Sequence, residues 1–269
     1  MKIDVNGAEF EVDVAGDGPA VVLLHGWPDS HRLWRAQLPA LHAAGFRTVA
    51  PDQRGMGASF APEGVENYAL PTLVGDVIGI MDALDVERAH VVGHDWGAAV
   101  AWGLASFLPD RVERLVALSV GHPAAFRGAG LEQRQKSWYM LLFQFVGVAE
   151  EWISADDFRN FRDWANHPDA DAVIADLRRP GALTAGLNWY RANVGPETLL
   201  APPPALPPVA ASTMGVWSSG DLALTERQML DSAAFVTGPW RYERIDGAGH
   251  WMQLEATDTL NALLVDFLT

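Results

Sequence analysis

Residues 91–97, VVGHDWG, run an apolar strand-like stretch into Gly93-His94-Asp95-Trp96-Gly97, and the helix-like AAVAWGLA follows. This is the pattern of a nucleophile elbow, G-x-S-x-G, with aspartate where serine would stand. Such a residue sits on a sharp strand-to-helix turn, so side chains two positions either side would collide with the turn. The turn also faces backbone N–H groups at a helix N-terminus, which suits a negative charge. Carboxylate chemistry differs from hydroxyl chemistry. A serine attacks an acyl carbon, whereas a carboxylate attacking the same carbon would give an unproductive anhydride. Aimed at an electrophilic sp³ carbon, Asp95 would displace a leaving group and become an alkyl ester.

Hydrolysing that ester needs a base, an acid that orients the base, and donors for the oxyanion. His250, in DGAGHWMQLE, follows the last strand pattern and precedes the last helix pattern. Asp221, in TMGVWSSGDLAL, follows the preceding strand. The chain order Asp95, Asp221, His250 is then nucleophile, acid, histidine, as elbow folds of this kind require. Asp246 is nearer to His250 in sequence but falls in the turn leading to it, where a solvated role is expected. The loop LLHGWP, residues 23–28, ends an earlier strand and would supply the second oxyanion N–H. The candidate donors are the backbone N–H groups of Trp27 and Trp96. Pro28 would rigidify that loop through a cis bond, and His25 reads as a loop brace rather than a base. His31, His42, His90 and His167 read as surface or structural.

These residues need a frame. Strand-like runs fall at Phe10–Val14, Ala20–Leu24, Arg47–Pro51, His90–Val92 and Leu115–Val120. Helix-like stretches lie between them at His31–Ala43, Thr72–Leu84 and Gly97–Phe107, with apolar residues at three- and four-residue spacing. Later come Thr213–Trp217 (strand), Thr225–Ala233 (helix), Arg241–Ile245 (strand) and Ala256–Leu268 (helix). This alternation predicts an α/β fold, a mostly parallel central sheet flanked by helices. From His122 to about Leu200 the rhythm breaks into aromatic-rich helical sequence without strand-like runs, ending in the stiff connector APPPALPPV. The expected division is a core of residues 1–121 and 209–269 with an inserted helical lid, 122–208. Most of the lid's aromatics are expected to be buried packing.

Composition narrows the classes. The chain has 269 residues, 49% hydrophobic and 20% charged, enough for one large domain with a sizeable core. A net charge of −15 argues against binding a phosphate backbone. No cysteine is present, so thiol nucleophiles, disulfides and Cys-based zinc sites are excluded. The polar N-terminus lacks a signal-peptide pattern and no apolar run is long enough to span a bilayer, so a cytoplasmic protein without membrane contact is expected. The chemistry outlined needs no metal or organic cofactor.

GHDWG, HGWP, PDQRGMGAS (51–59), GDLAL and GAGHW together resemble the epoxide hydrolases of the α/β-hydrolase fold superfamily. The resemblance extends over essentially the whole chain. One departure is Ser218-Ser219 before Gly220-Asp221, where relatives often carry a glycine and a charged residue; it does not move the acid. The resemblance implies that an epoxide is opened to a vicinal diol, and that SWYMLLFQFVGVAEEW and GLNWYRAN carry the family's paired acidic tyrosines, at Tyr139 and Tyr190 here. Chemistry agrees, because an epoxide leaves as a strongly basic alkoxide. A phenol, with a pKa near about 10, can hydrogen-bond that oxygen and pass it a proton. Of the four tyrosines, Tyr68 and Tyr242 lie outside the lid and read as structural. For Tyr139, inside an aromatic cluster, plain burial competes. The implied partners are a small apolar or aromatic epoxide and water; a homodimer is compatible with the sequence.

Two other readings remain open. Haloalkane dehalogenases of this fold also place Trp after the nucleophile to hold halide, but usually carry Asn at the position of Trp27 and lack the tyrosine pair. Fluoroacetate-type dehalogenases keep one lid tyrosine but follow the nucleophile with Arg. From another class, a non-catalytic ligand receptor could retain the same residues. Turnover would separate it from an enzyme.

Overall fold

A computed structural model describes residues 1–202 and 205–269. The chain begins with a hairpin, β1 (Lys2–Val5) and β2 (Ala8–Ala15), closed by Asn6-Gly7. Both turn residues have positive φ, 53° and 76°, which is the turn that Asn-Gly supplies at least cost. Then come β3 (Ala20–Leu24), a 3₁₀ segment (His31–Ala36), α1 (Leu38–Ala43), β4 (Arg47–Pro51), α2 (Leu70–Ala83), β5 (Ala89–His94), α3 (Trp96–Phe107) and β6 (Val112–Leu118). The eight-stranded sheet has the order β1-β2-β4-β3-β5-β6-β7-β8, where β7 is Ser212–Ser218 and β8 is Trp240–Ile245. The first two strands join antiparallel and all later neighbours are parallel. β3 and β5 are buried along their whole length, as strands covered by helices on both faces must be. That burial explains the unbroken apolar run of β3, AVVLL.

Between β6 and β7 the described residues form helices and no named strand: α4 (Pro123–Gly128), α5 (Leu131–Lys136), α6 (Trp138–Leu142), α7 (Val148–Ala165), α8 (Ala170–Leu177) and α9 (Ala182–Asn193). α7 is broken at Ala155–Phe158, where three residues have positive φ. α10 (Glu226–Leu230), α11 (Met252–Glu255) and α12 (Thr257–Leu268) complete the core. No described helix is long and apolar enough to cross a membrane.

Beyond shifts of a few residues at element ends and the short helix α11, the structure differs from the sequence expectations in four places. β1 carries too short a pattern to stand out alone; its alternate burial becomes meaningful only when it is paired with β2. The stretch His31–Ala43 is two elements, because Pro39 fits only in the first turn of a helix and forces a fresh start at Leu38. Likewise Thr225–Ala233 is α10 followed by a 3₁₀ segment, Asp231–Phe235. The strand expected to run to Val120 stops at Leu118, since Ser119 has φ 66° and cannot continue the ladder. In the Pro-rich connector, Pro203 and Pro204 lie outside the described residues; Val209 bridges Val236. Of the insertion's aromatics, Tyr139, Phe143, Phe158, Phe161, Trp189 and Tyr190 are buried, whereas Trp138 and Phe145 are exposed.

Candidate active site

The carboxyl ends of β3, β5, β7 and β8 converge beneath the insertion, the usual place for a site on a parallel sheet. β5 ends at His94 and α3 begins at Trp96, leaving Asp95 alone at the turn with φ 52° and ψ −122°. A non-glycine residue there is strained, and such strain persists only where its surroundings enforce it. Glycines permit the approach. A Cβ on Gly93 would land on the backbone of Gly97, and one on Gly97 would land on the carbonyls of Leu24 and His25. Gly26 matters most, since a side chain there would occupy the position of the Asp95 carboxylate.

That close approach brings the HGWP loop onto Asp95. The Trp27 N–H donates to Asp95 Oδ1 at 3.0 Å, and the Trp27–Pro28 peptide is cis. Trp96 opens α3, where a first-turn N–H has no intrahelical acceptor. His25 is fully buried: its Nδ1 donates to the Gly26 carbonyl (2.8 Å) and its Nε2 accepts the Gln53 N–H (3.0 Å). Burial pushes its pKa down. It braces the loop as a neutral ring.

Asp221 and His250 meet from the loops after β7 and β8. His250 Nδ1 donates to Asp221 Oδ2 at 2.9 Å, while Asp221 Oδ1 accepts the N–H groups of Ala223 (2.8 Å) and Leu224 (2.9 Å). Burial would raise the Asp221 pKa, but the imidazole and the two N–H groups outweigh it and hold it below the usual carboxylate range. For His250, burial favours the neutral ring, yet Asp221 and then Asp95 override it and raise the pKa to about 10. Its Nε2 faces Asp95 Oδ2 at 3.7 Å. Asp246 pairs instead with Arg244 at the exposed surface.

The insertion covers this group. Asp95, His250, Trp27, Tyr139, Phe161, Trp164, Tyr190 and Trp251 share one cavity. Tyr139 comes from α6 and Tyr190 from α9, with ring centroids 6.0 Å apart. Burial, and then the charge of Asp95, raises both phenol pKa values well above 10, so both keep their protons. Tyr190 also meets the Trp96 indole edge-on at 5.1 Å. Tyr68 and Tyr242 lie away from this cavity, donating to the Pro62 carbonyl and to Glu226.

Two contributors, His94 and Asp29, were given no role in the sequence reading, and a third, His167, was read only as surface or structural. His94 lies 4.7 Å from the His250 ring, and its Nε2 donates to the His250 carbonyl at 3.0 Å. Burial and then the neighbouring His250 push its pKa to about 4, so it stays neutral. Asp29, buried just beyond Pro28, accepts the Trp251 indole N–H (2.9 Å) and His167 Nε2 (3.1 Å). His167 belongs to the α7–α8 loop, so this carboxylate ties the insertion to the residue after His250. The only sequence signal for Asp29 was its place directly after HGWP, at the head of the polar run Asp29-Ser30-His31-Arg32. Among the described residues, no cluster of three or more His, Cys, Asp or Glu stands at metal-ligand spacing.

The arrangement gathers a carboxylate at an elbow, an N–H on its oxygen, an acid-backed imidazole and two protonated phenols around one apolar space. It can alkylate the carboxylate, protonate a leaving oxygen and deliver water to the resulting ester.

Known proteins share this architecture. A family model described as the alpha/beta hydrolase fold matches residues 19–257. The chain is 33% identical to epoxide hydrolase A of Mycobacterium tuberculosis over an alignment of 316 residues, covering 99% of this chain and 96% of the relative. It is similar to a solved structure described as a novel epoxide hydrolase from metagenomes of hot environments, with TM-score 0.89, 31% identity and coverage of 100% and 98%. It is also similar to epoxide hydrolase A of Mycobacterium thermoresistibile, with TM-score 0.82, 32% identity and coverage of 100% and 97%.

Proposed function

We infer the chemistry of this chain from its membership: it belongs to the epoxide hydrolases of the α/β-hydrolase fold, hydrolases acting on ether bonds. On that footing we propose that it opens a small apolar epoxide to a vicinal diol through an alkyl ester on Asp95. The observation that carries the proposal is the position of Asp95. A carboxylate held in a strained elbow, with Trp27 N–H on one oxygen and His250 Nε2 beyond the other, faces two buried phenols across one cavity.

An Asp95 oxygen attacks one oxirane carbon as the C–O bond breaks. Tyr190 and Tyr139 hydrogen-bond the ring oxygen, and one passes it a proton, leaving the hydroxyalkyl ester and a phenolate. In the resting state His250 carries a proton because two carboxylates face it. Esterification removes the charge of Asp95, which lowers the imidazole's proton affinity, and its proton restores the phenol. The neutral imidazole, oriented by Asp221, then takes a proton from water as the oxygen attacks the ester carbonyl. The oxyanion that develops on Asp95 lies at the N–H groups of Trp27 and Trp96, donors each typically worth about a hundred- to a thousandfold in rate. Collapse releases the second diol oxygen, which takes the proton left on the Asp95 carboxyl. Asp95 ends as a carboxylate and His250 as an imidazolium, as they began.

Residues 122–208 act as the lid that excludes bulk water from these steps. Every group named comes from a single chain, so a homodimer would hold two complete sites. A cytoplasmic setting remains part of the reading. One observation favours a second reading: the Trp27 indole Nε1 is buried without a hydrogen-bond partner among the described residues, and indole N–H groups suit a halide leaving group. The phenol pair weighs the other way, because halide needs no proton. A panel of epoxides and alkyl halides, with diol and halide both measured, tests the choice. Diol from epoxides without halide release supports the proposal. Halide release alone overturns it, and saturable binding without turnover would point to a receptor.

A further inference from the structure

The cavity over Asp95 is much smaller than an aromatic-lined site would suggest. Its volume is about 20 Å³, whereas a single water needs at least about 10–15 Å³ on the same measure. Pockets for drug-sized ligands run to roughly 300–1,000 Å³. The missing space is filled by rings. Trp27 meets Phe161 edge-on at 6.1 Å and stacks on Trp164 at 6.4 Å, while Tyr139 leans on Trp164 at 4.7 Å. Phe161 and Trp164 are three residues apart on α7, so both descend from one helix face over Asp95.

The roof is also fastened at both flanks. On one side, Trp189 Nε1 donates to the Arg54 carbonyl (2.9 Å), and Asn193 bonds the Tyr68 carbonyl (2.9 Å) and the Leu70 N–H (2.8 Å). On the other, His167 is held by buried Asp29 at 3.1 Å. A space that admits about one water holds no epoxide, so substrate must spread these rings, and each added carbon must spread them further. A close-packed wall of this kind yields little to added bulk.

Resting on the epoxide hydrolase reading above, we propose that this ring-filled site selects small aliphatic epoxides, an oxirane bearing one or two further carbons, because they displace the rings least, and that Phe161 and Trp164 set this size limit. Neither side chain supplies a proton or a charge to the reaction. They exclude bulk from the side of Asp95 opposite the sheet.

The test is a size series (propylene oxide, 1,2-epoxybutane, styrene oxide, trans-stilbene oxide), with diol formation read as kcat/KM for the wild type, Trp164→Ala and Phe161→Leu. In an open apolar pocket each buried CH₂ gains about fourfold in binding, so a size penalty has the opposite sign and is diagnostic. The expected result is that styrene oxide falls at least about tenfold below 1,2-epoxybutane in the wild type, and that the ratio moves toward styrene oxide by about tenfold or more in a folded variant. The wild-type series decides the size limit even if neither variant folds. Styrene or stilbene oxide turned over as well as the small epoxides by the wild type overturns the size limit while leaving the epoxide reading intact. A ratio unmoved in folded variants overturns the role of Phe161 and Trp164. No diol from any member overturns the epoxide reading itself, and the size limit with it.

Discussion

The Nε2 of His250 stands 3.7 Å from Oδ2 of Asp95, beyond hydrogen-bond reach. A serine nucleophile needs its histidine in contact, because the hydroxyl must lose a proton to attack. An ionised carboxylate needs no such help. The wider gap leaves the imidazole paired with Asp221 at 2.9 Å rather than with the nucleophile; in the proposed mechanism its own partner is the attacking water. The two residues would act in successive steps rather than as one nucleophile–base unit.

A protonation state follows from this placement. With its pKa raised to about 10, His250 should hold its proton across pH 7–9 in the resting enzyme. Nitrogen-resolved NMR of the labelled imidazole should show no titration in that range; a midpoint near about 6.5, the ordinary histidine value, would contradict it. A folded-state pKa above the unfolded one stabilises the fold fully below about pH 6.5, and that contribution is lost as pH rises toward 10. Thermal melts should therefore decline over that interval for the wild type and decline less for His250→Gln.

The phenols share one task and should show it. General-acid assistance is worth about a hundred- to ten-thousandfold, so Tyr190→Phe should slow ring opening by roughly ten- to a hundredfold while Tyr139 partly covers for it. The double Tyr139→Phe, Tyr190→Phe variant should lose at least about a thousandfold. Single-turnover alkylation rates are the measurement. Unchanged rates in the double variant would remove both residues from the chemistry.

Asp29 joins two parts of the molecule that sequence keeps far apart. In Asp29→Asn an amide N–H₂ must face either the Trp251 or the His167 N–H. A buried donor left unsatisfied costs about 1–3 kcal/mol. The melting temperature should fall by roughly 2–10 °C, and hydrogen exchange should quicken in α8. A variant as stable as the wild type would show that this tie contributes nothing.

Much of this arrangement was legible in the sequence. β3 and β4 were readable to the residue, β3 because a strand buried on both faces leaves an unbroken apolar run, and β4 because its β-branched and apolar residues lie between Gly45 and Pro51. The positions of Asp95, Asp221 and His250 were readable because each must follow a particular strand. The tyrosines needed more, the resemblance to a family and the scarcity of other tyrosines. Asp29, His94 and His167 were illegible for a physical reason. Their partners lie 222, 156 and 138 residues away, and nothing local distinguishes a histidine that meets a buried carboxylate from one that meets water. The PDQRGMGAS run joined the resemblance without a stated role. In the structure Gln53 holds His25, and Arg54, paired with Asp76 at 2.6 Å, presents the carbonyl on which Trp189 docks. Cavity volume was equally invisible, since it depends on how Trp27, Phe161 and Trp164 pack across three separate elements.

The most direct measurement is mass spectrometry of the His250→Gln variant mixed with 1,2-epoxybutane and quenched. With the base removed, alkylation should outrun hydrolysis, and the peptide containing Asp95 should gain the mass of one epoxide. The mass should be absent from a variant that also carries Asp95→Asn. An adduct on any other residue, or diol formation by His250→Gln at the wild-type rate with no adduct, would contradict an alkyl ester on Asp95.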